Sequence, residues 1–405
     1  MKNRYLLLAG LVFISEFIAY LGNWSLDHIF WSLVWTPGFS LAKASSLSFY
    51  FPAGHVAGCI VGAFPSDLVG RKPVLIGGLS ALVVFFVGMS VGSLYWHYAL
   101  CGVIGGLGTG LFFISSLPVL IESFPGRCGL VVVANSYLTA MGGRFWAMFV
   151  RQQDFVWLKS SGFLLLCGLL LLLVIAVIWR CEFPPLNRSP LGCDDKNKGL
   201  TVKSGLAILI LLLALILGIQ AHGLNTKFLL ASILSNGDLN IFANISGSID
   251  LAVTCGMAAA GPIAVLLLLK LKRVPYILFA SYGLAAVILL TFYRIHNPAY
   301  IFVAGGLLVA CFWLAVPLIN TFIGETFYWV KARALVLVYA LQTLVVALMV
   351  PVKQVFLKEM SSPVPAATFY LLIFVVCALL ALLLAKQPTL SARRGNKTIA
   401  DPSED

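Results

Sequence analysis

The sequence predicts an all-α polytopic membrane protein, with twelve transmembrane helices in two pseudo-symmetric six-helix bundles. Three observations lead to that class: the composition, the length of the apolar runs, and an internal echo. Sixty per cent of the 405 residues are hydrophobic and only 10% are charged, with a mean hydropathy of +0.99. Soluble domains carry roughly 25% charged residues, and a water-soluble fold of this length could not cover so much apolar surface. Lipid is the solvent for most of this chain. Runs long enough to cross about 30 Å of hydrocarbon follow one another from end to end. The two halves also repeat. Arg71 and Pro73 return as Arg273 and Pro275, and Glu122-Ser123-Phe124 as Glu325-Thr326-Phe327, at offsets of 202 and 203 residues. Two independent matches at nearly one spacing, close to half the chain, argue for a duplicated six-helix unit.

The elements follow in order. Met1-Lys2-Asn3-Arg4 precedes an apolar run, as in the first half of a signal peptide, but no small-residue cleavage site follows. That run, 5–22, is read as a retained first span. Runs at 44–66, 73–92, 96–121, 129–150 and 160–179 complete a first bundle, residues 1–179. Those at 204–222, 241–269, 275–292, 299–321, 334–352 and 364–385 form a second, residues 204–385; the eighth span is the least apolar. Residues 180–203, with Pro184, Pro185, Pro190 and an acidic-basic run, read as a cytoplasmic linker. Residues 386–405 read as a disordered cytoplasmic tail.

Charge sets the orientation. With both termini inside, nineteen of the 27 Lys and Arg fall on cytoplasmic segments, which is the positive-inside pattern. The net +12 is then read as inner loops on anionic lipid, not as a nucleic-acid surface, since no compact basic domain with interleaved aromatics exists. A multi-pass protein of the plasma membrane is expected, with Asn23-Trp24-Ser25 outside as a glycan acceptor. The sequons at Asn187, Asn244 and Asn396 fall in cytoplasm or membrane and are discounted. Nine cysteines show no CxxC or Cys/His ligand spacing, so neither a metal site nor a disulfide framework is expected.

Ser66-Asp67-Leu68-Val69-Gly70-Arg71-Lys72-Pro73 resembles the loop signature of the major facilitator superfamily, with Ala63 and Leu68 departing from it. An Asp at a helix end can sit against the positive N-terminus of a facing helix. A short glycine turn presents Arg71 and Lys72 to acidic groups across the bundle interface. Further motifs resemble one branch, the organic cation/anion transporter family (solute carrier family 22). These are Trp31-Ser32-Leu33-Val34, the ladder Gly106-x-Gly108-x-Gly110 with Glu122, Asp154 to Lys159, Gly223-Leu224, and Ser246-Gly247 to Asp250. The resemblance covers about residues 5–385 and implies the major facilitator fold. It also implies a cytoplasmic gate of Asp67, Gly70, Arg71, Lys72, Glu122 and Arg127, echoed by Arg273, Glu325 and Arg333. Arg71 should meet Glu122, Asp67 the start of the eleventh helix near Arg333, and Arg273 should meet Glu325. Leu269 stands where the second half would repeat Asp67, so that half of the gate should be weaker. This is a divergent member. About twenty residues without cysteine join the first two spans, Gly102 aligns with the family's fourth-helix arginine, and Leu344 falls where relatives carry a charge. Substrate charge is therefore not inherited.

An ionisable group in a span costs roughly 2.5–3.5 kcal/mol on insertion scales and needs a partner or a wet cavity. Glu16, His55, Arg144 and Asp250 are such groups. Glu16 and Arg144 can form a structural salt bridge or touch substrate; Asp250 can hold the bundle or bind a cation or proton. His55 can pack or couple protons. Tyr137, Trp313, Asn320, Tyr339 and Gln342 are softer pocket candidates. No GK[ST] loop is present, so ATP is not expected as a partner. No cofactor or enzyme chemistry is expected either, since no catalytic constellation emerges. The expected function is alternating-access transport of a small organic solute, charged or amphiphilic, with the bilayer as the other partner. A transporter-like receptor or scaffold without turnover is the alternative.

Overall fold

The computed structural model describes residues 2–34, 41–124, 130–135, 137, 141, 161–184, 205–216, 218, 239–271, 274–292, 297–326, 340–341, 343–344 and 364–385. Its long helices are α1 (Lys2–Val34), α2 (Leu41–Leu68), α3 (Arg71–Val91), α4 (Tyr95–Ser123) and α5 (Ser161–Arg180) in the first half of the chain. In the second half they are α6 (Leu239–Leu271), α7 (Val274–Phe292), α8 (Pro298–Thr326) and α9 (Val364–Ala385). Helical stretches at 130–135 and Gly205–Ile216 fall at the expected fifth and seventh spans. Residues 340–341 and 343–344, within the expected eleventh, are helical too.

Most of these helices coincide with the apolar runs to within a few residues, because lipid forces every backbone donor and acceptor to pair inside its own segment. α1 is the exception. It continues to Val34, and 33 residues rise about 50 Å, well beyond the hydrocarbon. Asn23 thus lies within a continuous helix where a connecting loop was expected. Hydropathy marks what lipid buries, not where a helix ends.

Packing repeats between the halves. α4 packs on α2 and α3, and α5 on α3; in the second half α8 packs on α6 and α7, and α9 on α7. The crossings use corresponding backbone atoms, approached more closely in the first half. A Cβ at Gly106 would meet the Phe51 carbonyl and the His55 nitrogen, and one at Gly306 would meet the Ala252 carbonyl and the Gly256 nitrogen. These equivalences run at offsets of 200 and 201 residues, within two or three of the loop motifs. Without a hydrophobic drive between helices in lipid, such close backbone contact is what glycine provides. α4 is central and mostly buried, whereas α5 is peripheral. Leu169, Leu173 and Trp179 of α5 face outward.

One buried apolar cluster belongs to the first half alone, around Leu79, Phe86 and Leu171. The other joins Cys59, Ala63, Leu117 and Val132 of the first half to Met257, Ala264 and Leu318 of the second. Those first-half members lie toward the end of the bundle that carries the α2–α3 turn. The halves are therefore closed together at that end.

Candidate functional site

The α2–α3 turn is built on glycine. Val69 and Gly70 both donate backbone bonds to the Pro65 carbonyl, at 2.8 and 3.1 Å, and Gly70 then adopts φ 136°, ψ 163°. That region is essentially closed to residues with a Cβ. The turn starts α3 at Arg71, whose buried guanidinium reaches three partners. Nη1 donates to Asp67 Oδ1 at 2.5 Å and Ser66 Oγ at 3.0 Å, and Nη2 donates to Glu122 Oε1 at 3.0 Å. Every charge here sits at the unfavourable end of its helix dipole: Asp67 and Glu122 at C-termini, Arg71 at an N-terminus. Their mutual pairing offsets that cost, and the Asp67 and Glu122 side chains are only 2% and 6% exposed.

Lys72 does not join them. Its Nζ donates to the Trp179 and Cys181 carbonyls at 2.7 and 3.1 Å and lies 5.7 Å from the Phe183 ring centre. Successive helical residues point about 100° apart, so Arg71 turns inward while Lys72 caps the C-terminus of α5, where a cation is favoured. The glycine turn is expected to present both cations to acidic groups across the bundle interface; the contacts described for both stay in the first half, Arg71 on Ser66, Asp67 and Glu122 and Lys72 on carbonyls. Burial pushes the Cys181 thiol pKa up, and Lys72 pulls it the other way.

Deeper in the first half, side chains from four helices converge. Glu16 on α1 is buried and accepts a hydrogen bond from Asn135 Nδ2 of the helical stretch 130–135. One turn along α1, Tyr20 meets the edge of Phe113 on α4 at 6.3 Å between ring centres. Phe113 in turn meets His55 on α2 at 6.1 Å. A carboxylate, an amide, an imidazole and two aromatic faces thus share one interior. Asn135 and Tyr20 were not among the sequence candidates, although a lone amide after Val131-Val132-Val133-Ala134 was a legible signal.

Tyr137 stands elsewhere: its hydroxyl donates to the Ala258 carbonyl on α6, across the two halves. On α8, Trp313 is half-buried against the edge of Phe312 at 5.6 Å, and Asn320 is fully buried. Asp250 and Glu325 lie in α6 and α8, as Asn23 does in α1, with side chains outside the described residues. Arg127, Arg144, Arg273, Arg333, Tyr339 and Gln342 also fall outside them. Among the described residues, no group of three His, Cys, Asp or Glu is placed to hold a metal ion.

Solved structures share this architecture. The chain is similar to the major facilitator superfamily proton:xylose symporter XylE bound to 6-bromo-6-deoxy-D-glucose, at 16% identity and TM-score 0.72, over 97% of this chain and 99% of that one. It is also similar to the superfamily transporter FucP in the outward conformation, at 14% identity and TM-score 0.68, over 95% and 100%. A further FucP structure, of the E. coli fucose:proton symporter, gives 13%, 0.64, and the same coverages. No protein-family model and no curated sequence matches the chain. The fold is that of the major facilitator superfamily, in a multi-pass membrane protein.

Proposed function

We propose that the protein carries a small organic solute across the membrane by rocking residues 1–179 against 204–385 around a central site. Residues 180–203 serve as the cytoplasmic linker, and both termini lie inside, at the plasma membrane. The observation that carries this reading is the buried Glu16 carboxylate, set among Asn135, Tyr20, Phe113 and His55 in a fold built from duplicated bundles. A carboxylate beside aromatic faces suits a charged or amphiphilic solute, and the neighbouring imidazole offers a proton-coupling group. The proposed affiliation is a divergent branch of the organic cation/anion transporters. At Gly102, where that family carries arginine, a Cβ would sit in ordinary contact with Tyr50 Cβ at 3.4 Å, and the glycine supplies no charge there. Arg144 is proposed to pair with Glu16, and Arg71 with Asp67 and Glu122 to brace the cytoplasmic gate.

A thermal-shift screen of mixed organic ions tests the site. At least one solute should raise the melting temperature of the parent and not that of Glu16→Gln. Hits that stabilise both proteins equally would put the site elsewhere. In the same assay, a double-mutant cycle on Glu16 and Arg144 should be strongly non-additive, since breaking a buried ion pair costs about 3–5 kcal/mol. Additive effects would mean that the two residues do not meet.

A further inference from the structure

We propose that Tyr137 is a latch between the two halves, closing on a backbone carbonyl that lacks its regular donor in its own helix. The role of a latch rests on the rocking motion proposed above; the contact itself does not. The Tyr137 hydroxyl donates to the Ala258 carbonyl. Ala258 lies four residues before Pro262, inside the continuous helix α6. In an α-helix a carbonyl accepts from the N–H four residues on, and proline has none. The Ala258 carbonyl thus lacks its regular intrahelical donor at a depth where hydrocarbon supplies no substitute. The neighbouring residue completes the receptor. At Gly261, a Cβ would fall within the space of the Tyr137 ring, so the missing side chain is what lets the ring lie flat on α6. Two consecutive residues, Gly261 and Pro262, each supply one part of the seat for a single side chain of the other half.

The seat lies in the apolar cluster that joins the halves, with Val133 and Met141 on one side and Met257 and Ala264 on the other. Parting the halves at the α2–α3 end withdraws the hydroxyl and strands the carbonyl. The closed state gains a hydrogen bond that the open state can replace within α6 only by a local distortion of the helix. A ligand-free protein is therefore biased towards closure on this side. From sequence alone Tyr137 reads as a pocket group; the latch gives it a different role.

The test uses the full chain in nanodiscs, with non-cysteine spin labels at the exposed positions 69 and 276, on the α2–α3 turn and at the start of α7. Tyr137→Phe keeps the ring and removes the donor. It should raise the open-to-closed ratio about fivefold, the equivalent of one ordinary hydrogen bond. Pro262→Ala restores the N–H at 262, and in that background Tyr137→Phe should change the ratio little. Thermal unfolding of the same four proteins should show matching non-additivity. An equal effect of Tyr137→Phe in both backgrounds, or none in either, overturns the latch even if two distances are seen. Non-additive stabilities with one short distance in every variant would overturn the rocking motion and the latch with it, leaving a static joint.

Discussion

Replacing Arg71 with glutamine is expected to destabilise the protein by about 3–5 kcal/mol, the range for breaking a buried charge pair by removing one partner. The guanidinium is the shared donor of Asp67, Glu122 and Ser66, and both carboxylates are almost completely buried. Glutamine cannot span that distance with two forks, so two buried acids at helix C-termini lose the cation they share. The yield of monodisperse protein and the unfolding temperature should both fall sharply. Adding Glu122→Gln and Asp67→Asn to the Arg71 variant should recover a large part of the loss, because neutral amides need no cation. An Arg71→Gln protein as stable as the parent would show that the cluster is an ordinary surface loop.

Gly106→Val should be comparably damaging for a different reason. The added carbon would collide with backbone of α2, the Phe51 carbonyl and His55 nitrogen, which no rotamer change can relieve. Overpacking against rigid backbone is expected to cost about 3 kcal/mol or more. Gly77 and Gly283 are the controls, since a Cβ at either meets nothing within 4 Å. Gly77→Ala and Gly283→Ala should leave the protein unchanged or stabilise it by about 0.5–1 kcal/mol through helix propensity. If all three substitutions behaved alike, the close α2–α4 crossing would be wrong.

The contrast between these glycines shows what the sequence could and could not reveal. Apolar runs locate helices well because the bilayer imposes one length and one hydrogen-bonding rule. α9 (Val364–Ala385) falls on the run 364–385, and even the weakly apolar eighth run became α6. The duplication was visible in two loop motifs, and the matching Gly106 and Gly306 crossings repeat it at nearly the same spacing. The site was less legible. Arg71 and Lys72 look equivalent in a loop motif, yet one helical step sends them to different partners. Tyr137 reads as a pocket aromatic until α6 is beside it, because its acceptor is created by a proline 125 residues away. Asn135 lies near the start of its apolar run, where an amide can pass for an interfacial residue, although a buried amide in lipid needs a partner as a carboxylate does.

Uptake into proteoliposomes is the most direct test of the central claim, that the halves move a solute past the Glu16 interior. The purified chain, reconstituted and offered the organic ions that stabilise it, should accumulate at least one with saturable kinetics over protein-free vesicles. Glu16→Gln, inserted to the same level, should lose that uptake. Solutes that bind the parent tightly while none enters the lumen, under either direction of gradient or pH difference, would contradict the carrier. The receptor alternative, which Gly102, Leu269 and Leu344 favour by standing where the transporters its motifs resemble carry charges, would then stand.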